Sequence, residues 1–279
     1  MTPGTLYIVA TPIGNLDDIT LRALRVLREA DLIACEDTRY SARLLAHYGI
    51  TTPRESYHDH NERERTPRFL ERLHRGQTIA LISDSGTPLI SDPGYSLVSA
   101  CRNEGIPVVP IPGPSAVIAA LAACGLPMGR FYFVGFLPPR SQARKAELEK
   151  LRAIDATLVF YEAPHRLLAT LADMNAILGS RPACLARELT KMHEEWMRGT
   201  LAELLEIMSA RPKIRGEITL AVGPGPDEPQ KPALAGSIEE AVKDEVRKTG
   251  VSHKEALRAV ARRLGISRKE AYKRLVGKG

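Results

Sequence analysis

The sequence predicts an α/β protein: two α/β domains with mostly parallel sheets, followed by a small C-terminal all-helical domain of helix–turn–helix type. Three observations carry that expectation. Apolar, β-branched runs alternate with helical periodicity from Leu6 to Val222, the pattern of strand–helix–strand units. Proline and glycine punctuate the chain at Pro110–Pro114 and again from Gly223 to Gly236. Beyond that second break the periodicity is helical only, and the charge turns basic. The expected organisation is therefore 1–113, 114–223, a semi-rigid Pro-rich linker over 224–236, and 237–279.

In the first half, Leu6–Ala10 reads as a strand, and Asp18-Ile19-Thr20 opens a helix whose Leu21, Leu24 and Leu27 share one face. Leu32–Cys35 is a second strand and Ser41–Tyr48 a short helix. The charged segment Glu62–Arg75 is helical, with Phe69, Leu70 and Leu73 apolar. Strand Thr78–Ile82, helix Tyr95–Glu104 and strand Val108–Ile111 complete the half. Ser115 then caps a small-residue helix, Ala116–Cys124. The second half has expected strands at Phe131–Gly135, Thr157–Tyr161, Ala183–Ala186 and Ile218–Val222. Its expected helices are Ala143–Ala153, His165–Leu178 and Leu201–Met208. In the tail, a helix over Ile238–Lys248 precedes one from His253 to Leu264, capped by Ser252. Gly265 breaks that helix, and Ser267 caps a last one, Arg268–Val276.

Charge is distributed unevenly. Residues Met1–Gly236 hold 27 Lys/Arg against 27 Asp/Glu, whereas Ser237–Gly279 hold 12 against 6, so the whole +6 excess lies in the tail. A neutral body with a basic tail suggests a small-molecule site on the body and a polyanion contact on the tail. No apolar run approaches the roughly 18 residues of a membrane span, and the N-terminus lacks the basic and apolar regions of a secretory signal. Cys35, Cys101, Cys124 and Cys184 are scattered, as expected of reduced interior residues in a cytoplasmic protein.

The most informative stretch is Ser83–Gly94, Ser-Asp-Ser-Gly-Thr-Pro-Leu-Ile-Ser-Asp-Pro-Gly, which follows a buried strand. It is longer than the roughly 2–6 residues usual for such connections. It also places hydroxyls, carboxylates and bare amides at a strand end, where α/β proteins bind ligands. Three further polar clusters follow strands of the same half: Thr11-Pro12-Ile13-Gly14-Asn15, Glu36-Asp37-Thr38-Arg39 and Pro112-Gly113-Pro114-Ser115. Strand ends of a parallel sheet lie side by side, so the four clusters are expected to line one cleft. Neither Gly-x-Gly-x-x-Gly nor a Gly-Lys-Ser/Thr loop occurs, which removes most support for dinucleotide binding and P-loop hydrolysis. His58-x-His60 has no third ligand in view, and no metal is expected.

Taken together, these four motifs resemble the tetrapyrrole methylase (class III methyltransferase) superfamily, and within it the bacterial branch that modifies small-subunit ribosomal RNA. Phe160–Arg166, Arg187–Glu194 and Gly216–Leu220 extend the likeness through the second half. The resemblance implies S-adenosyl-L-methionine bound between two α/β domains and a homodimer. It also implies 2′-O-methylation of a decoding-centre cytidine in 16S rRNA. On that reading Pro12, Ser83, Asp84, Ser85, Gly86, Thr87, Ile90, Ser91, Ser115 and Ala116 hold the cofactor from the first half and its junction. Tyr161, Glu162, Ile218 and Thr219 hold it from the second. For Tyr161 and Ile218 the residues alone favour core packing, and Ser115 also suits plain helix capping, a role compatible with a cofactor contact.

Transfer to a ribose hydroxyl profits from a positioned base, typically by about 10²–10⁴-fold. Glu36, Asp37 and His58 are the candidates; a surface ion pair of Glu36 and Asp37 with Arg39 and a solvated loop histidine are the competing readings. Orientation of the hydroxyl without any base remains open. Arg39, Lys191 and His193 are candidates for rRNA phosphate, as are Arg268, Lys269, Lys273 and Arg274 on the last helix. Two rival functions stand beside this one: a class III enzyme acting on a tetrapyrrole or other small molecule, and a non-catalytic nucleic-acid-binding regulator.

Overall fold

The computed structural model describes residues 3–225, 238–263 and 271. The chain divides into two compact units, Met1–Pro224 and Gly225–Gly279.

The first unit contains two five-stranded sheets. The first sheet has the order β3-β2-β4-β1-β5 and every pairing in it is parallel. Its strands are β1 (Leu6–Val9), β2 (Leu32–Cys35), β3 (Arg54–Ser56), β4 (Ile79–Ile82) and β5 (Val108–Ile111). β2 and β4 are buried throughout because helices cover both faces. Helices α1 (Leu21–Glu29) and α2 (Thr38–His47) lie on one face, where Leu24, Leu27 and Leu45 pack on Val9, Ile33 and Ile82. Helices α3 (Glu62–His74) and α4 (Tyr95–Asn103) lie on the other, where Phe69, Leu73 and Leu97 pack on Leu6, Leu32 and Leu81. Neighbouring strands β1 and β4 therefore send their chains to opposite faces. That divergence opens a crevice beyond their carboxyl ends, the place where open α/β sheets bind ligands.

The second sheet has the order β6-β7-β10-β8-β9, made of β6 (Phe131–Phe136), β7 (Thr157–Glu162), β8 (Pro182–Arg187), β9 (Glu195–Thr200) and β10 (Ile218–Val222). Helices α6 (Ser141–Leu151), α7 (Leu167–Leu178) and α8 (Leu201–Ser209) bury their apolar stripes on one face. On the opposite face lies α5 (Ala116–Cys124), whose small residues let Val117 and Leu121 reach Val159 and Cys124 reach Cys184 and Ala221.

Five of the eight strand pairings are parallel, in keeping with the expected class. They are unevenly shared, however. Only β6–β7 is parallel in the second sheet, because β8 and β9 form a hairpin and β10 inserts antiparallel between β7 and β8. β3 and β9 are additional to the expected strands; both are edges. Helix α2 begins at Thr38 instead of Ser41 because Asp37 caps it, accepting the Arg39 amide N–H.

In the second unit, α9 (Ile238–Thr249) and α10 (His253–Arg263) share a small core of Val242, Ala256, Leu257, Val260, Ala261 and Ala271. Ser252 and Glu255 form a reciprocal cap on α10: the Glu255 carboxylate accepts from Ser252, and the Ser252 hydroxyl accepts from the Glu255 amide. Residues 226–236 of the expected 224–236 linker and the phosphate candidates Arg268, Lys269, Lys273 and Arg274 lie outside the described residues. No helix among the described residues is long and apolar enough to cross a membrane. The four cysteines are buried and free.

Candidate active site

The Ser83–Gly94 loop is sewn to its neighbours at the crevice. Thr11 and Gly86 exchange two backbone hydrogen bonds, 2.8 and 3.1 Å, which clip the loop to the end of β1. The Thr87 hydroxyl donates to the Pro114 carbonyl at 3.0 Å and ties the same loop to the start of α5. Gly86 has φ +83°, and a Cβ there would stand 3.3 Å from the Ile13 side chain. Leu89 (φ 71°) and Ser91 (φ 66°) also hold left-handed backbone, a cost on the order of 1–3 kcal/mol each that the surrounding stitching sustains. Strain of this kind is concentrated at ligand-binding segments.

This loop and the ends of β7 and β10 enclose a cavity of about 390 Å³ between the two sheets. That volume lies within the roughly 300–1,000 Å³ typical of small-molecule sites. Of the expected cofactor residues, Ser85, Gly86, Thr87, Ile90, Ser91, Ser115, Ala116, Tyr161, Glu162, Ile218 and Thr219 line it. Pro12, Ser83 and Asp84 do not. Pro12 and Ser83 are buried beneath the clip, and the Asp84 carboxylate turns toward α2, accepting the Asp37 amide at 3.1 Å. Ile13, Asp92, Phe136, Ala163, Pro164, Gly216 and Glu217 line the cavity without having been named as cofactor residues. Asp92 carried a sequence signal, being inside the polar loop. Phe136 carried none, since its exposure follows from the register of an edge strand.

Several side chains have duties different from those expected. The Glu162 carboxylate is turned into the protein: Oε1 accepts from the Ala163 amide and the Arg166 guanidinium, and Oε2 from the Thr170 hydroxyl. With a side chain only 1% exposed, it anchors the β7–α7 corner and leaves the cavity to its backbone and neighbours. Tyr161 is both wall and packing: its ring meets Phe133 and Phe136 with centroids 5.1 and 5.6 Å away, and burial pushes its hydroxyl up to about 12. Ile218 is likewise a core residue with one edge on the cavity. Ser115 makes no side-chain cap on α5, so its hydroxyl and the first amides of that helix stay available at the cavity.

None of the three expected bases lines the cavity. Asp37 caps α2 and pairs with Arg39 at 3.1 Å, an exposed arrangement. His58 Nε2 is 3.2 Å from the Asn61 amide nitrogen, and the His60 ring is 6.0 Å away. Glu36 follows β2 directly and stands beside other carboxylates; burial first, then Asp84, Asp92, Asp59 and Asp37, push its pKa up to about 7. Among the described residues no group of three or more His, Cys, Asp or Glu is placed to hold a metal.

Glu36 makes the protein's stability depend on pH in a definite direction. Its folded pKa lies above the unfolded one, so between about 4.5 and 7 the native state binds the additional proton and stability falls as pH rises. Glu36→Gln is expected to raise the melting temperature at pH 8, on the order of a few °C, and to leave it unchanged at pH 4. Scanning calorimetry at the two pH values measures both.

Lys191 and His193 sit on the β8–β9 connection. The Lys191 ammonium contacts Glu188 at 3.0 Å and Glu217 at 3.2 Å, and is therefore neutralised internally. His193 is exposed and lends its carbonyl to Arg187. The same connection holds the two halves together. The Asn15 amide donates to the Thr190 hydroxyl at 3.0 Å, and Gly14 lies so close that a Cβ would stand 2.4 Å from Lys191 Cγ and 2.9 Å from the Leu189 carbonyl.

The cavity thus offers an apolar slot (Ile13, Ile90, Ala116, Ile218), an uncompensated carboxylate (Asp92), and hydroxyls beside a helix N-terminus (Ser115 and α5). The slot and the helix N-terminus suit a ligand with a flat apolar part and a carboxylate.

Comparison with known proteins gives the family. The model of the Tetrapyrrole (Corrin/Porphyrin) Methylases matches residues 5–205. Ribosomal RNA small subunit methyltransferase I of Pseudomonas aeruginosa is 55% identical over 224 residues, covering 80% of this chain and 79% of that one. The protein of the same name from Escherichia coli O157:H7 is 52% identical over 221 residues, covering 78% and 77%. Among solved structures, uroporphyrin-III C-methyltransferase from Thermus thermophilus complexed with S-adenosyl homocysteine superimposes with a TM-score of 0.56 at 20% identity, covering 79% of this chain and 97% of that one. A cobalt precorrin-4 methyltransferase superimposes with a TM-score of 0.58 at 18% identity, covering 78% and 94%. The chain belongs to the tetrapyrrole (corrin/porphyrin) methylase family, alongside the curated proteins named ribosomal RNA small subunit methyltransferase I.

Proposed function

We propose that the protein is an S-adenosylmethionine-dependent methyltransferase of small-subunit ribosomal RNA that modifies the 2′-hydroxyl of a decoding-centre cytidine, acting in the cytoplasm as a homodimer. The observation that carries the reading is the cavity between the two sheets, in a chain about half identical to proteins named for this activity. The cytidine and the 2′-oxygen rest on the resemblance of the motifs at 11–15, 36–39, 83–94 and 112–116.

The residues present fit the cofactor. Backbone around Gly86, with Ile13, Ile90 and Ile218, supplies an apolar surface suited to adenine. The Ser115 hydroxyl and the amides opening α5 suit the amino-acid carboxylate. Ser85, Thr87 and the Thr219 hydroxyl supply polar partners between these ends. When bound, S-adenosylmethionine supplies an electrophilic methyl group on a sulfonium. The clip between Thr11 and Gly86 and the contact of Asn15 with Thr190 fix the two walls, so the acceptor oxygen can be held in line with that methyl.

The test is to incubate the protein with tritiated cofactor and bacterial small subunits and to map the label. Label on one cytidine ribose is expected; label on a base, or on a small tetrapyrrole in preference to the subunit, overturns the reading. The basic tail is proposed to dock on RNA backbone. Truncation after Pro224 is expected to raise KM for the subunit at least tenfold and to flatten its salt dependence, leaving cofactor affinity unchanged. Equal loss of both affinities would remove that division of labour.

A further inference from the structure

The structure assigns the proton-accepting role in this reaction to Asp92: we propose that its carboxylate takes the proton of the ribose 2′-hydroxyl as the methyl group is transferred. The inference rests on the function proposed above and names a residue that the sequence did not single out.

Four observations support it. Asp92 lines the cavity that Glu36, Asp37 and His58 do not reach. Asp92 is itself half-buried, and Ile90, 40% exposed, and Phe136, 55% exposed, line the cavity with it. The exposed Ile90 and Phe136 mark a side on which an RNA ribose can approach, whereas Gly86 is buried and clipped to Thr11. The backbone leading to Asp92 is strained at Leu89 and Ser91, and Gly94 behind it has φ +134°, where a Cβ would stand 2.8 Å from Leu81. Such a segment is aimed by its surroundings and does not relax freely.

Its electrostatic setting suits a base. The groups acting on Asp92 are the Ser83 hydroxyl and the carboxylates Asp84 and Asp59, and no cation is among them. Glu36 and the Tyr161 hydroxyl also feel its charge. Burial, helped by Asp84 and Asp59 and opposed by Ser83, pushes its pKa up to about 6. A carboxylate of that strength is ionised at neutral pH yet basic enough to share a proton in the transition state.

The step balances. A lone pair on the 2′-oxygen forms the new O–C bond, and the C–S bond breaks with its electron pair staying on sulfur, giving the neutral thioether. The hydroxyl proton moves to an Asp92 carboxylate oxygen and then to water.

The test compares wild type, Asp92→Asn and Asp92→Glu in the full-length protein. Methyl transfer to small subunits is measured from pH 5 to 8, and binding of S-adenosylhomocysteine by calorimetry at pH 7.5. Asp92→Asn is expected to lower kcat by about 10²–10⁴-fold while product affinity stays within threefold of wild type. Wild-type kcat should fall about tenfold per pH unit below about 6. Asp92→Glu should retain part of the activity and an acidic limb, and Asp92→Asn should show none. If Asp92→Asn matches wild type in kcat, or if S-adenosylhomocysteine affinity falls as far as kcat, the assignment is wrong while the proposed function stands. If wild type itself labels no rRNA, both fall.

Discussion

Glu162→Ala is expected to destabilise the protein by about 3–5 kcal/mol, the range for removing one partner from a buried ion pair. The carboxylate is 1% exposed and satisfies three donors at once: the Ala163 amide, the Arg166 guanidinium and the Thr170 hydroxyl. Truncation leaves a guanidinium whose own side chain is only 19% exposed without its counter-charge. It also leaves the Thr170 hydroxyl, on a fully buried residue, without its acceptor. The loss should reach the site, because Tyr161, Ala163 and Pro164 on either side of Glu162 form the cavity wall. Urea unfolding measures the stability change, and calorimetry with S-adenosylhomocysteine at a temperature where the variant is folded measures the second effect. Glu162→Gln keeps the shape and part of the hydrogen bonding and should fall between. A Glu162→Ala variant with wild-type stability would mean that the β7–α7 corner is not anchored by this pair.

Much of this architecture was legible in the sequence, and the reasons for the exceptions are physical. Central strands such as Leu32–Cys35 and Ile218–Val222 read clearly because they are buried on both faces and therefore uniformly apolar. Arg54–Ser56 escaped because an edge strand of three polar residues has no periodicity to detect. Glu195–Thr200 escaped because Met197 alone of its residues is buried. The antiparallel character of the second sheet could not be read from strand composition, since strand direction depends on where each connection returns. At the site, the loop Ser83–Gly94 announced itself by length and polarity, and half of its residues reach the cavity. Which carboxylate points inward was not legible. Glu36, Asp37, Asp84 and Asp92 are chemically alike, and only the αL turns at Leu89 and Ser91 and the cap made by Asp37 decide among them. Glu162 shows the converse: it belongs to the right motif, but a half-buried arginine four residues on claims its side chain.

Gly14→Ala should loosen the union of the two halves and thereby the site. An added Cβ would stand 2.4 Å from Lys191 Cγ, 2.7 Å from the Thr190 hydroxyl and 2.9 Å from the Leu189 carbonyl. A flexible lysine stem can yield, but the Thr190 hydroxyl is engaged by the Asn15 amide at 3.0 Å, and the Leu189 carbonyl is backbone. Thr190 and Glu188 have φ of 65° and 53°, so the 188–190 segment has little freedom to retreat without leaving its αL turns. Lys191 is in turn held by Glu188 and Glu217, and Glu217 lines the cavity. The displacement is therefore expected to travel from Ile13, on one wall, to Glu217, on the other. Overpacking of this kind costs about 1–3 kcal/mol, and a misplacement of about 1 Å between walls can cost on the order of 10²-fold in turnover. The expected result is a lower melting temperature together with at least tenfold weaker S-adenosylhomocysteine binding. Lys191→Ala combined with Gly14→Ala should recover part of both losses, because it removes the nearest obstructing atom. Recovery of stability without recovery of binding would mean that the 14–191 contact supports the fold alone and does not set the width of the cavity.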